Sequence, residues 1–318
     1  MKMTQKTPLD RELQDPFKDR GFKSIDKAIS TSLYHVVNGM KGKRQVYPTK
    51  WDRLNKNLLG GLQPGKMYVI AGRPGVGKSA FSNQLIFDTL DVNSEKPLLV
   101  LYWSFEMPGY QQILRAGSKG SGKQVSELLS VERKLEQDAY DKFKQEVLKY
   151  KHYPIYFNNI PRDMEHVKET NIDVTNNYPE HIIINVFDHS RLILSNKDQE
   201  LQKLNEVSKG CMWLQSRIQC INILLSQLNR NIEQEHRAKA QYQPLLTDLF
   251  GGDSIGQDAH VVMMLQRPHD LYGITDLYCN EDPIGLLACH VEKNRDGLLG
   301  MISFEAEMST FTINERKK

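Results

Sequence analysis

The sequence predicts an α/β fold, a mostly parallel central sheet flanked by helices and preceded by a short helical arm. Three observations carry this expectation. Apolar runs at 67–71, 98–103, 182–187, 221–226, 261–266 and 286–291 alternate with helical stretches, the pattern of strands buried on both faces. The first of these runs feeds directly into a glycine-rich loop and then a helix. The last two runs, 301–304 and 310–313, lie close together and fit an antiparallel hairpin at one edge.

A chain of 318 residues holds one large α/β domain plus an arm, or two small domains. Hydrophobic residues are 39% and charged residues 25%, the balance of a soluble globular protein rather than a disordered one. Lys and Arg number 42 against 39 Asp and Glu, a net charge of +3. A polyanion site would therefore be a local patch or a ring of loops. Cys211, Cys220, Cys279 and Cys289 make no CxxC pair and no metal-ligand spacing. No run approaches the roughly 20 apolar residues of a membrane span, and the N-terminus lacks the apolar centre of a signal peptide. The expected setting is reducing and aqueous, the cytoplasm, with no membrane partner.

Residues 1–20 are polar without a periodic apolar face and read as an arm. Phe22, Ile25, Ile29, Leu33 and Val36 then recur three or four apart, on one face of a helix. Ser24 is its expected N-cap and Gly39 its expected stop. Such a stripe needs a partner, either its own domain or a neighbouring subunit. Residues 41–50 are basic, contain Gly and Pro, and read as a linker. The expected division is an arm and linker helix at 1–45 and an α/β domain at 46–318.

Residues 72–79, GRPGVGKS, match G-x-x-x-x-G-K-[ST] between a strand and a helix, the context that a phosphate-binding P-loop requires. Gly72, Gly75 and Gly77 let the backbone curl so that N–H groups face phosphate oxygens, and Pro74 belongs to the same nucleotide-binding loop. Lys78 would reach the β- and γ-phosphates of ATP, and the Ser79 hydroxyl would hold Mg²⁺. Hydrolysis also needs a strand-end carboxylate for the metal's water shell, and Asp188, closing the run 182–188, is so placed. A second carboxylate must polarise the attacking water, and Glu106 ends the buried stretch 101–106. Gln227, just after the run 221–226, can sense the γ-phosphate. Each alone reads as a strand-end polar residue facing solvent; in order after a P-loop they read together.

These motifs resemble those of the DnaB-type replicative helicases, ring-forming P-loop ATPases with a RecA-like core that unwind DNA at replication forks. The resemblance runs from about Tyr47 to the C-terminus. Residues 62–65, LQPG, resemble the family's approach to its P-loop, and 104–107, SFEM, the segment carrying its catalytic glutamate. Arg115 falls where the family has an arginine. Residues 188–190, DHS, resemble its Walker B segment, and 226–230, SQLNR, its fourth motif. Residues 247–249 and 254–259 resemble the DNA-facing loop and the helix after it; 293–297, KNRDG, look like the arginine-finger segment.

The resemblance implies MgATP held by Lys78, Ser79 and Asp188, with Glu106 as base and Gln227 coupling the γ-phosphate to DNA loops. Lys293 and Arg295 would act in trans on a neighbour's nucleotide, in a homo-hexamer on single-stranded DNA. The helix at 22–37 then resembles the linker helix that packs on the adjacent subunit. There is no room ahead of Tyr47 for the family's collar or a primase, so either a separate primase, collar or loader protein supplies those parts or the motor works without them. A phage or plasmid replication protein would suit the short N-terminus, the cytoplasm then being the host's.

The DNA-facing loop departs from the family pattern. Where many relatives carry Arg-Glu-Ser-Gly, this chain has Phe250, Gly251, Gly252 and Asp253. Backbone amides of the loop could still meet phosphates, and Phe250 either stacks on a base or packs into a subunit interface. Arg230, Arg237 and Lys239 could add charge from a mobile loop, or be a solvated surface. Two other readings stand beside the helicase: a RecA/RadA-type recombination or repair ATPase, disfavoured by SFEM and KNR, and a regulatory hexamer that does not translocate, which the altered Phe250 loop keeps open.

Overall fold

The computed structural model describes residues 23–188, 193–195, 197, 199–250, 252–277 and 281–317, with the backbone only at 252 and 253. Residues 1–20, Phe22, Gly251 and Cys279 lie outside the described residues. The chain divides into two compact units, Met1–Gln45 and Val46–Lys318.

The first unit holds α1 (Ile25–Met40). Ser24 caps it as expected, its hydroxyl accepting from the Lys27 amide at 3.3 Å. The stop differs: the helix runs through Gly39 and ends in a Schellman motif at Gly42. The Lys43 amide donates to the Asn38 carbonyl and the Gly42 amide to that of Gly39. Gly42 takes the left-handed conformation (φ 63°) that this motif needs. Ile25, Ile29, Leu33 and Val36 are each more than half exposed.

In the second unit α2 (Asp52–Asn57) precedes β1 (Met67–Gly72), and α3 (Lys78–Val92) leads to β2 (Leu98–Ser104). A helical excursion follows, α4 (Gly109–Ser121), α5 (Val125–Leu128) and α6 (Gln137–Lys149), before β3 (Ile155–Asn158). Next come α7 (Met164–Asn177), β4 (Ile182–Asp188), α8 (Glu200–Arg217) and β5 (Ile221–Gln227). Then α9 (Gly252–Asp258), β6 (Val261–Gln266) and α10 (Pro268–Tyr272) lead to β7 (Leu286–Asn294), β8 (Gly300–Glu307) and β9 (Thr312–Glu315).

The strands form one sheet in the order β3-β2-β4-β5-β1-β6-β7-β8-β9. β1 to β6 run parallel, and β8 and β9 make the expected antiparallel edge hairpin. Two strands depart from the sequence reading. β3 is an added outer strand, short and only half-buried, so it lacks the continuous apolar run that marks its neighbours. The run 286–291 reads with the parallel strands, but β7 is antiparallel to β6. Periodicity carries no direction, and an antiparallel return does not need the long crossover of a parallel one.

Side-chain alternation explains the two core layers. Tyr68 and Ile70 of β1 face one side with Phe81 and Leu85 of α3. Met67, Val69 and Ala71 face the other with Cys211 and Leu214 of α8. Trp51, Phe81 and Phe304 tie α2, α3 and β8 together, with ring centroids 4.7–5.5 Å apart. On the opposite face Asn185 exchanges hydrogen bonds with Asn171 and accepts from the Trp103 indole at 3.0 Å. A slipped register would leave these amides buried and unpaired.

Candidate functional site

The C-terminal ends of β1, β2, β4 and β5 meet at one edge of the sheet. Gly72 pairs with Gln227, and Ser104 with Asp188. The Phe105 amide donates to the Asp188 carbonyl at 2.8 Å, which carries the chain past β4 and sets Glu106 beside it. β2 therefore ends at Ser104, two residues before the glutamate. The Ser104 hydroxyl, bonded to the Met107 carbonyl and accepting from Gln112, braces this turn.

The loop from β1 to α3 curls because Gly75 and Gly77 take positive φ (79° and 104°), which L side chains resist. At Gly77 a Cβ would also come within 2.6 Å of the Met308 Cε. The curl aims the N-terminus of α3 into a cavity of about 300 Å³. A helix N-terminus of this kind favours phosphate. The cavity is lined by Lys78, Ser79, Glu106, Arg115, Asp188 and Gln227, together with Pro74, Gly75, Gly77, Ala80, Met308 and Phe311. Larger hollows flank α8, but they hold none of these residues.

The charges in the cavity are poised by burial. The Lys78 ammonium donates to the Gly72 and Arg73 carbonyls at 2.9 and 3.2 Å, and burial lowers its pKa to about 8 against the opposing pull of Asp188 and Glu106. Burial likewise pushes the Asp188 carboxyl up to about 6, opposed by its hydrogen bond from Ser79. That bond is long, 3.3 Å to Oδ1, while the buried Asp188 Oδ2 has no partner. A hydroxyl and a half-satisfied carboxylate facing the same space fit a hydrated divalent cation with oxygen ligands. Among the described residues no cluster of three or more His, Cys, Asp or Glu offers another metal site.

Lys293 and Arg295 do not line this cavity. Lys293 donates to the Gly256 and Gln257 carbonyls at 2.7 Å, and Arg295 to Gln257 at 2.7 Å. Both cations thus cap the C-terminal end of α9, where the helix dipole favours them. Arg295 stays exposed.

The segment between β5 and α9 is built of 3-10 turns, Arg230–Glu233, Glu235–Ala240 and Leu246–Asp248, where sequence suggested a mobile loop. Arg237 grips Asp248 with two bonds of 2.8 and 2.9 Å, so its charge is already engaged. Arg230 is exposed, and the Phe250 ring is partly buried against the core layer of α8 and α9. Gly251 lies outside the described residues, as does the Asp253 side chain. His189 and Ser190, which follow Asp188 in the quoted motif, also lie outside them.

Three residues here escaped the sequence reading of the site. Met308 and Phe311 come from the β8–β9 turn, far along the chain. Arg73 is an unspecified position of the P-loop pattern. Its guanidinium holds Glu233 at 2.7 and 3.1 Å and the Leu228 carbonyl at 2.9 Å, which fastens the phosphate loop to the segment after β5.

Comparison with known proteins bears on the family and the fold. The family described as DnaB-like helicase C terminal domain matches residues 47–313. The replicative DNA helicase DnaB of Pasteurella multocida is 26% identical over 295 residues, covering 91% of this chain and 59% of the relative. The chain thus spans about three-fifths of that relative's length. Among solved structures, one described as an ATPase domain superposes with a TM-score of 0.80 at 19% identity, covering 93% of this chain and all of the other. A DnaB-like replicative helicase, described with its interactions with primase, reaches 0.79 at 19% identity, covering 93% and 68%. These likenesses establish the fold as that of a RecA-like ATPase domain, and by the match over 47–313 the chain belongs to the DnaB-like helicase C-terminal domain family.

Proposed function

We propose that this chain is the motor of a ring-forming replicative DNA helicase, which translocates on single-stranded DNA and hydrolyses ATP between subunits. The observation that carries the reading is the convergence of Lys78, Ser79, Glu106, Asp188 and Gln227 on one cavity at the P-loop, with Lys293 and Arg295 outside it.

Lys78 and the N-terminal amides of α3 bind the β- and γ-phosphates of ATP. Ser79 and Asp188 would hold Mg²⁺, which would supply neutralisation of the developing phosphate charge. Glu106 orients and deprotonates the water. The water oxygen forms its bond to the γ-phosphorus, the bond to the β–γ bridging oxygen breaks, and ADP leaves with that electron pair. Gln227 registers the γ-phosphate and passes the change through its backbone to Phe250. Lys293 and Arg295 stabilise the transferred group on the adjacent subunit, a contribution of about 10³–10⁵ in rate for such fingers.

The assembly is a homo-hexamer, and α1 seats its exposed stripe on the neighbouring subunit. The DNA contacts are the backbone of 250–253 together with Arg230. A separate primase, collar or loader protein completes the machine in the cytoplasm. Among the described residues no helix is long and apolar enough to cross a membrane. Unwinding of a forked duplex with a 5′ single-stranded tail tests the reading. ATP-dependent release of the strand is expected, and ATP hydrolysis without release at any protein concentration would contradict it.

A further inference from the structure

We propose that Phe311 is a positioning residue that holds the Arg115 guanidinium in the phosphate cavity, by stacking its ring against it. The inference rests on the nucleotide reading of that cavity and adds a residue to it. The guanidinium carbon of Arg115 lies 4.8 Å from the Phe311 ring centroid, within the range of a cation–π contact. Arg115 and Phe311 both line the cavity with Lys78, Glu106 and Asp188.

Three further observations support the role. First, among the described residues the Arg115 guanidinium makes no ion pair and no hydrogen bond, although it is partly buried. An arginine usually satisfies its fork of donors with a carboxylate or phosphate. Here the partner is the Phe311 ring, and Arg115 lines the cavity beside it. Second, burial lowers the Arg115 pKa while Asp188 and Glu106 raise it, so the cation sits in the field of the same carboxylates that flank the phosphates.

Third, Phe311 has φ 55°, a left-handed backbone that a bulky side chain rarely adopts. Strained residues of this kind persist where the surroundings over-determine them, and they concentrate at functional sites. The turn around Phe311 is braced on both sides. The Thr310 and Thr312 hydroxyls bond to each other at 3.0 Å, and the Ser309 amide donates to Glu307 at 3.1 Å. In the same turn Met308 reaches over Gly77 of the P-loop. The β8–β9 turn thus presents one side chain to the phosphate loop and one to the cavity's unpaired cation.

The test compares Phe311→Leu with Phe311→Tyr in steady-state ATP hydrolysis on single-stranded DNA, alongside thermal melting of each. Leucine fills apolar space without a ring face; tyrosine keeps the face. The expected result is a kcat for Phe311→Leu about fivefold below wild type, a KM for ATP nearly unchanged, and Phe311→Tyr near wild type in both. The melting temperatures of the two variants are expected to agree, since both retain the strained backbone. Phe311→Met serves the same comparison if the leucine variant does not fold. Equal turnover in the leucine and tyrosine variants overturns the proposal. So does a raised KM with unchanged kcat, which would assign the ring to nucleotide binding. Absence of hydrolysis in the wild type would instead overturn the nucleotide reading beneath it.

Discussion

The backbone amide of Phe250 donates to the carbonyl of Gln227 at 3.0 Å, joining the end of β5 in the nucleotide cavity to the loop that opens α9. The connection is a short ladder: Leu228 pairs with Leu249, and the Asn229 amide donates to Asp248 at 2.7 Å. Arg237 clamps Asp248 from outside, and Arg73 anchors the same segment to the P-loop. Under the proposed coupling, a displacement of Gln227 by a γ-phosphate would be passed along this hydrogen-bonded ladder to Phe250.

Gln227→Ala keeps this backbone ladder and removes the side chain that lines the cavity. Nucleotide affinity is expected to stay within about threefold of wild type, while stimulation of hydrolysis by single-stranded DNA falls by about tenfold or more. Titration of a fluorescent nucleotide, together with turnover with and without an oligonucleotide, checks it. Normal stimulation in the variant would remove Gln227 from the coupling.

Lys78→Ala deletes the cation proposed to reach the phosphates, and hydrolysis is expected to fall by at least about a hundredfold. The variant should also gain some ligand-free stability, because burial already lowers the Lys78 pKa to about 8. Retained turnover would sink the P-loop assignment.

Asp188 gives a prediction with a definite sign. Burial raises its pKa from 3.8 to about 6, so the folded state prefers the neutral carboxyl. The associated stability is full below about pH 4 and is lost as pH rises through 6, roughly 3 kcal/mol in all. Asp188→Asn removes that loss. The ligand-free variant is expected to melt above wild type at about pH 7.5, with the gap closing toward about pH 4. Addition of MgATP should raise the melting temperature of wild type and leave the variant nearly unmoved. A ligand-free variant that melts below wild type at neutral pH would contradict the burial argument.

Arg295 lies outside its own subunit's cavity, so its loss should be felt next door. Mixing Arg295→Ala subunits with wild type at fixed total protein is expected to depress turnover more steeply than the wild-type fraction falls. A strictly linear dependence would mean that the finger does not act in trans.

What could be read in advance follows from what sequence encodes locally. The buried parallel strands announce themselves as apolar runs, and the P-loop is written in consecutive residues, 72–79, between a strand and a helix. Asp188 and Gln227 are legible because each closes such a run. β3 is not, since an edge strand of four residues buries too little to leave a pattern. Met308 and Phe311 are invisible for a different reason. They reach the cavity only because β8 folds back along β7 and β9 along β8, a contact between residues far apart in the chain. The Arg73 clamp is hidden by the motif itself, which leaves that position free. Arg237 reads as available charge, and only the fold reveals that Asp248 already holds it.

If hydrolysis belongs to an assembled ring driven by DNA, one measurement meets that claim directly. ATPase rate per subunit is followed against protein concentration, with and without a single-stranded oligonucleotide. Turnover is expected to rise cooperatively with protein and to be raised further by the strand. A rate per subunit that is independent of concentration and indifferent to DNA would contradict it.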